Sequence, residues 1–142
     1  MTEKNIDIIP IQKKYMHDVI ELVQSISEFK PNKDEYNSIW MSYNNQTNVH
    51  SIVALIDGKV VGYGTLIIET KIRGGKLGHI EDIVSHNDFR KKGIGKAILE
   101  SLFEIALDYG CYKVALACME HNMPFYEKCS YEFYGFSMQR FI

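Results

Sequence analysis

Apolar residues along this chain change their spacing several times, and each change marks an element boundary. The run "IDIIPI" (Ile6 to Ile11) predicts a short first strand. Val19, Leu22, Val23 and Ile26 then recur at helical spacing on one face, and a second short helix is predicted through Tyr36 to Tyr43. "SIVALIDGKVVGYGTLIIE" holds two apolar, β-branched runs around Asp57-Gly58-Lys59, a hairpin signal that makes strands two and three antiparallel neighbours. "KIRGGKLG" (Lys71 to Gly78) reads as a glycine-containing loop, followed by a strand from about His79 to Val84. Apolar or small residues at 94, 97, 98, 101, 102, 105 and 106 fit one helix face, with Gly110 as its stop. Tyr112 to Cys118 predicts a strand and "NMPFYEKCS" a short helix with Asn122 as N-cap and Pro124 in its first turn. "EFYGFSMQRF" predicts a last strand. The order βααβββαβαβ describes an α+β, or mixed α/β, domain with helices flanking a central mixed sheet.

With 142 residues the chain is read as a single domain, 1–142, with one active site. Its 16 Lys and Arg against 18 Asp and Glu leave a net charge of −2, which gives no general attraction to nucleic acid or an anionic membrane. Anion binding must therefore be local. No apolar run reaches the roughly 20 residues of a membrane span, and the first thirty residues lack a signal-peptide pattern, so a soluble cytoplasmic protein is expected. Cys111, Cys118 and Cys129 lack metal-ligand spacing and are read as reduced thiols, with no metal expected.

The chemistry concentrates in "HIEDIVSHNDFRKKGIGKAILESL". If a strand turns here into a helix, the amides of residues 91–96 are the unpaired donors of the helix start, and the dipole favours an anion there. Gly93 and Gly95 remove side chains beside Ile94, while Arg90, Lys91, Lys92 and Lys96 add positive charge, so a pyrophosphate is the expected ligand. A Walker A loop is excluded because Ala97 follows Lys96, and a dinucleotide fingerprint because Ile98 stands where a third glycine belongs.

What remains, "RKKGIG", resembles the pyrophosphate-binding signature of the GNAT acetyltransferases, and the later "NMPFYEKCSYEFYGF" keeps that family's order. "GHIEDIV", "DYGCYKVALAC" and "FYEKCSYEF" look like its glucosamine-6-phosphate N-acetyltransferase branch, most clearly across residues 60–140. The resemblance implies the GNAT fold and acetyl-CoA as cosubstrate. It also implies direct transfer to the amine of glucosamine 6-phosphate in a ternary complex, on the way to UDP-N-acetylglucosamine.

An amine attacking a thioester must be neutral, and the carbonyl oxygen gains negative charge, so a base and an oxyanion donor are needed. The resemblance implies a splayed backbone amide near Ile83 or Val84 as that donor. It places Glu81 and Asp82 in the sugar region, with Glu81 orienting the amine or relaying its proton through water. On a regular strand these two point to opposite sides. Tyr126 is expected to protonate the departing thiolate. Asn122 either bonds the pantetheine arm or caps the helix, and Phe125 either lines the cofactor or packs in the core. For the sugar phosphate the resemblance offers Ser27, Lys71, Arg73, Tyr112, Lys113 and Arg140. Two departures stand out: Ala117 where relatives often carry an acid, and Arg140 one residue away from its matching position. Relatives in this branch are homodimers whose terminal strand completes the partner's sugar site. Other readings are acetylation of another small amine or a protein N-terminus, or an acetyl-CoA-binding module without turnover.

Overall fold

The structure, a computed structural model, describes residues 5–142. The first four residues of the predicted single domain lie outside the described residues. The elements in chain order are β1 (Asp7–Pro10), α1 (Met16–Val23), α2 (Tyr36–Asn44), β2 (Val49–Ile56), β3 (Lys59–Thr70), β4 (Lys76–Ser85), α3 (Ile94–Asp108), β5 (Cys111–Leu116) and α4 (Met123–Lys128). The five strands form one sheet in sequential order, antiparallel throughout except for the parallel β4–β5 pair. That parallel pair is what the intervening α3 crossover requires.

The β2–β3 hairpin closes through Asp57 and Gly58, both at positive φ (50° and 77°), which matches the right-handed twist of the strands. β3 then supplies the surface on which α3 lies. A Cβ on Gly62 or Gly64 would stand 2.7 Å from the Ile98 side chain, so two bare positions let the helix approach the sheet. Ile94, Ile98, Leu99, Leu102 and Ala106 of α3 are all buried against Ala54, Val61, Leu66 and Ile80. Each fully buried Leu or Ile contributes about 1.5–3 kcal/mol, so this contact fixes where the helix begins. The opposite face carries a smaller cluster in which Val19, Leu22 and Val23 of α1 pack on Val53, Leu55 and Val60.

Three expectations are corrected. Ile26 is 47% exposed, because α1 stops at Val23 and the Gln24 amide donates to the carbonyls of Ile20 and Phe29, turning the chain away. β4 begins at Lys76, since the loop needs only residues 71–75 to reverse direction through Gly74 and Gly75 at positive φ. No strand forms in the "EFYGFSMQRF" segment: residues 131–142 are irregular, and Tyr134, Phe136 and Met138 are exposed. Alternating apolar residues specify a strand face, but a strand forms only by pairing, and this segment leaves the outer edge of β5 unpaired.

Candidate active site

β4 has two partners over only half its length. Its pairing with β5 ends at Ile80↔Leu116, so the β5-facing edge of residues 81–85 is left without a strand partner. Ile83 and Val84, where the family resemblance implies an oxyanion donor, lie in this open stretch. On the other edge, three steps along β4 (Val84 to Glu81) match two along β3 (Tyr63 to Thr65), which places a bulge at Asp82. Asp82 itself has φ 56°. The bulge cancels strand alternation, and Glu81 and Asp82 are both exposed rather than split between faces. Glu81 is registered opposite Thr65 and Val84 opposite Tyr63, so both share the face of those residues.

Beneath that face the hydroxyls of Ser51, Tyr63 and Thr65 bond one another at 2.7–3.2 Å, and the Tyr43 hydroxyl accepts from the Ser51 amide. Burial holds the Tyr63 phenol above its ordinary range despite these bonds. Sequence reasoning missed this network. Its signal was present as single polar residues, Ser51 and Thr65, inside apolar strand runs.

Past β4, a short turn of 3-10 helix (Asn87–Phe89) leads to Arg90, after which Lys91 (φ 67°) and Gly93 (φ 77°) bend the chain into α3. Gly93 occupies the N-cap and offers no side chain to the first helical turn. Among the described residues, the amides of 91–96 make no hydrogen bond, so the helix start presents free donors as the sequence requires. No ion pair among the described residues engages Arg90, Lys91, Lys92 or Lys96. Gly95 has a further reason to be bare: a Cβ there would lie 3.0 Å from the Phe125 ring. Phe125 thus joins α4 to the start of α3, which places it at the anion turn through packing.

Tyr126 follows on α4, edge-on to Phe125 (centroids 5.1 Å apart) and to Tyr131 (6.1 Å). Burial, with Cys118 and Cys129 nearby, pushes its phenol above the ordinary value, and its hydroxyl has no partner among the described residues. A half-buried, protonated hydroxyl without a partner is a proton donor in waiting. Tyr131 is pushed further, to about 12, with its hydroxyl buried and unbonded. Asn122 does not cap α4. Its backbone is already helical (φ −92°, ψ −8°) and its side chain makes no capping bond, which leaves that amide exposed.

The residues expected to hold a sugar phosphate are not gathered around Glu81. Arg73 donates to the Tyr112 hydroxyl at 3.3 Å, and the Lys113 ammonium lies 4.5 Å from the Tyr134 ring centre. These groups sit near the start of β4, where Leu77 registers with Lys113. Glu81 is four residues further on, about 13 Å along the strand. Lys71 is held by Glu69 at 3.0 Å, and Glu69 also bonds His79 at 2.9 Å. The His79 contact, then Lys71, lowers the Glu69 carboxyl below its ordinary value. Ser27 is exposed in the loop after α1, and Arg140 is exposed in the irregular tail.

Among the described residues no helix is long and apolar enough to cross a membrane, and no group of three His, Cys, Asp or Glu is arranged to hold a metal. Residues 16–131 match the acetyltransferase (GNAT) family. Over 142 residues, 96% of this chain and 88% of the relative, the sequence is 36% identical to glucosamine 6-phosphate N-acetyltransferase 1 of Dictyostelium discoideum. The fold superposes on a Trypanosoma brucei acetyltransferase with TM-score 0.89 and 27% identity, covering 97% of this chain and all of that one. It also superposes on glucosamine-6-phosphate N-acetyltransferase of Arabidopsis thaliana with TM-score 0.86 and 28% identity, covering 97% and 99%.

Proposed function

The chain belongs to the GNAT acetyltransferase family, as an acetyl-CoA-dependent N-acetyltransferase, and we propose that its acceptor is the amine of glucosamine 6-phosphate. The observation that carries the reading is the open edge of β4, which runs from the free amides of the anion turn to the bulge at Asp82. A pyrophosphate fits the turn because the amides of residues 91–96 are unbonded and four cations without carboxylate partners surround them. The acetyl arm then lies along residues 81–85, where strand-like hydrogen bonds are available to an amide-containing chain.

In this arrangement a backbone N–H near Ile83 or Val84 donates to the acetyl carbonyl oxygen as charge develops there. Glu81 orients the incoming amine or passes its proton to water. Tyr126 gives its proton to the departing thiolate, a role suited to a phenol that burial keeps protonated. Asn122, without a capping bond, is available to the pantetheine arm. Transfer is direct, in a ternary complex, so the three cysteines have no covalent part. The product, N-acetylglucosamine 6-phosphate, leads to UDP-N-acetylglucosamine, and we assign the reaction to the cytoplasm.

The acceptor cations lie about 13 Å from Glu81 within one chain. Residues 131–142 expose Phe133, Tyr134, Phe136, Met138 and Phe141. Both features support a homodimer in which the terminal segment pairs across to a second copy and brings Arg140, with the Arg73 group, toward the partner's acid pair. Sedimentation should give a dimer, and a chain ending at Ser130 should be monomeric and inactive.

CoA release measured with glucosamine 6-phosphate, spermidine and a peptide N-terminus tests the acceptor. Turnover with the sugar phosphate at least tenfold above the others is expected, and turnover with only the polyamine or peptide would replace the proposed acceptor.

A further inference from the structure

Phe89 closes the short helical turn just before Arg90, and two ammonium groups from different parts of the chain each approach its ring. Lys92, in the anion turn, and Lys59, at the start of β3, each lie 5.3 Å from the ring centroid. Neither lysine forms an ion pair among the described residues. With Arg90, Lys91 and Lys96, this makes five cations crowded at one end of the molecule. A cation–π contact at a half-buried surface ring is a weak attraction and does little to offset like-charge repulsion. A ligand with more than one anionic centre offsets it directly.

The amides of the turn and the start of α3 provide for one anionic centre, the pyrophosphate. Coenzyme A carries a second, the phosphomonoester on the 3′ position of its ribose. Lys59 belongs to the β2–β3 hairpin, whose position is fixed by the sheet, and its side chain is exposed. It also borders a cavity of about 340 Å³ lined in part by Ser85, His86 and Asn87. Asp18 and Glu21 line the same cavity, so its interior disfavours a phosphate, which is left to the ammonium groups outside it.

We propose that Lys59 and Lys92, gathered at the Phe89 ring, form the seat of the ribose 3′-phosphate of coenzyme A. The site separates the full cofactor from one lacking that phosphate. This inference rests on the acetyl-CoA reading of the anion turn and extends it to a residue outside that turn.

The test compares acetyl-CoA with 3′-dephospho-acetyl-CoA by calorimetry, on the full-length protein and on Lys59→Ala. The wild-type chain binds acetyl-CoA more tightly than the dephospho form. In Lys59→Ala the preference shrinks by about three- to fivefold, through weaker acetyl-CoA binding alone, as expected for loss of one exposed charge contact. Phe89→Leu, which removes the ring that collects both ammoniums, narrows the preference in the same direction. An unchanged preference in Lys59→Ala, or an equal loss for both ligands, overturns the 3′-phosphate seat while leaving the turn's pyrophosphate role intact. Failure of the wild-type chain to bind either ligand overturns the cofactor reading itself, and this seat with it.

Discussion

The proposed cofactor end and the proposed acceptor end of this molecule are assembled differently. The anion turn, the open β4 edge, Phe125 and Tyr126 are brought together by contacts within one chain, several between residues close in sequence. The acceptor groups are dispersed over the loop after α1, the β3–β4 connection, β5 and an irregular tail. A site with its donors already in place binds without ordering cost, whereas a dispersed one depends on long-range geometry or a second subunit. Single changes at the cofactor end should therefore be severe and those at the acceptor end graded.

The sharpest break would come from Tyr126→Phe, which keeps the ring contacts with Phe125 and Tyr131 and removes only the proton. Turnover should fall about 100-fold with acetyl-CoA affinity nearly unchanged, measured as a kcat loss alongside calorimetry. Wild-type turnover would end its role as acid. Next comes Gly95→Val, whose side chain meets the Phe125 ring already 3.0 Å from a Cβ. Overpacking of this kind should weaken acetyl-CoA binding about tenfold, and the Phe125→Ala background should recover most of it. Recovery would show that the contact, rather than the glycine alone, holds the turn in place.

Arg73→Ala tests the other end. The KM for glucosamine 6-phosphate should rise about fivefold with the KM for acetyl-CoA unchanged, as befits one of several dispersed cations. Equal effects on both would dissolve the distinction between the two ends. The smallest effect is expected from His50, whose ring sits 4.6 Å from Tyr109 and whose Nε2 is buried without a partner among the described residues. Burial lowers its pKa from 6.5, so the folded chain prefers neutral histidine and the unfolded chain takes up the proton first. Stability from this residue is complete above the unfolded value and declines as pH falls below it. Urea denaturation between pH 7 and 5, about the range where an ordinary histidine titrates, should show a decline that His50→Phe reduces.

The sequence was most informative where local patterns decide structure. Asp57-Gly58 specified its hairpin, the apolar face from Ile94 to Ala106 specified α3, and the bare, basic turn before it signalled the unbonded amides at the start of that helix. It was silent where structure depends on a neighbour. The bulge at Asp82 arises from a count across two strands, and nothing local in "HIEDIV" announces the extra residue. Asn122 has the residue type of a cap, but a preceding helical turn from Glu120 carries the chain in already coiled. The terminal segment has the composition of a strand, yet it pairs with neither edge of the sheet, although the outer edge of β5 is open. The expected phosphate ligand Lys71 could not be seen to be occupied by Glu69, because that ion pair depends on how the β3–β4 connection folds back.

The contact of Phe125 with Gly95 has one further consequence. On the proposed reading, it joins the turn that takes one end of a long, flexible carrier to the hydroxyl that meets its sulfur at the other, so packing sets the spacing between the two. A carrier one methylene longer or shorter would seat its phosphates normally and present its thioester out of step with Tyr126. That reading makes carrier length a criterion for the acyl donor, set by no side chain that touches the acyl group.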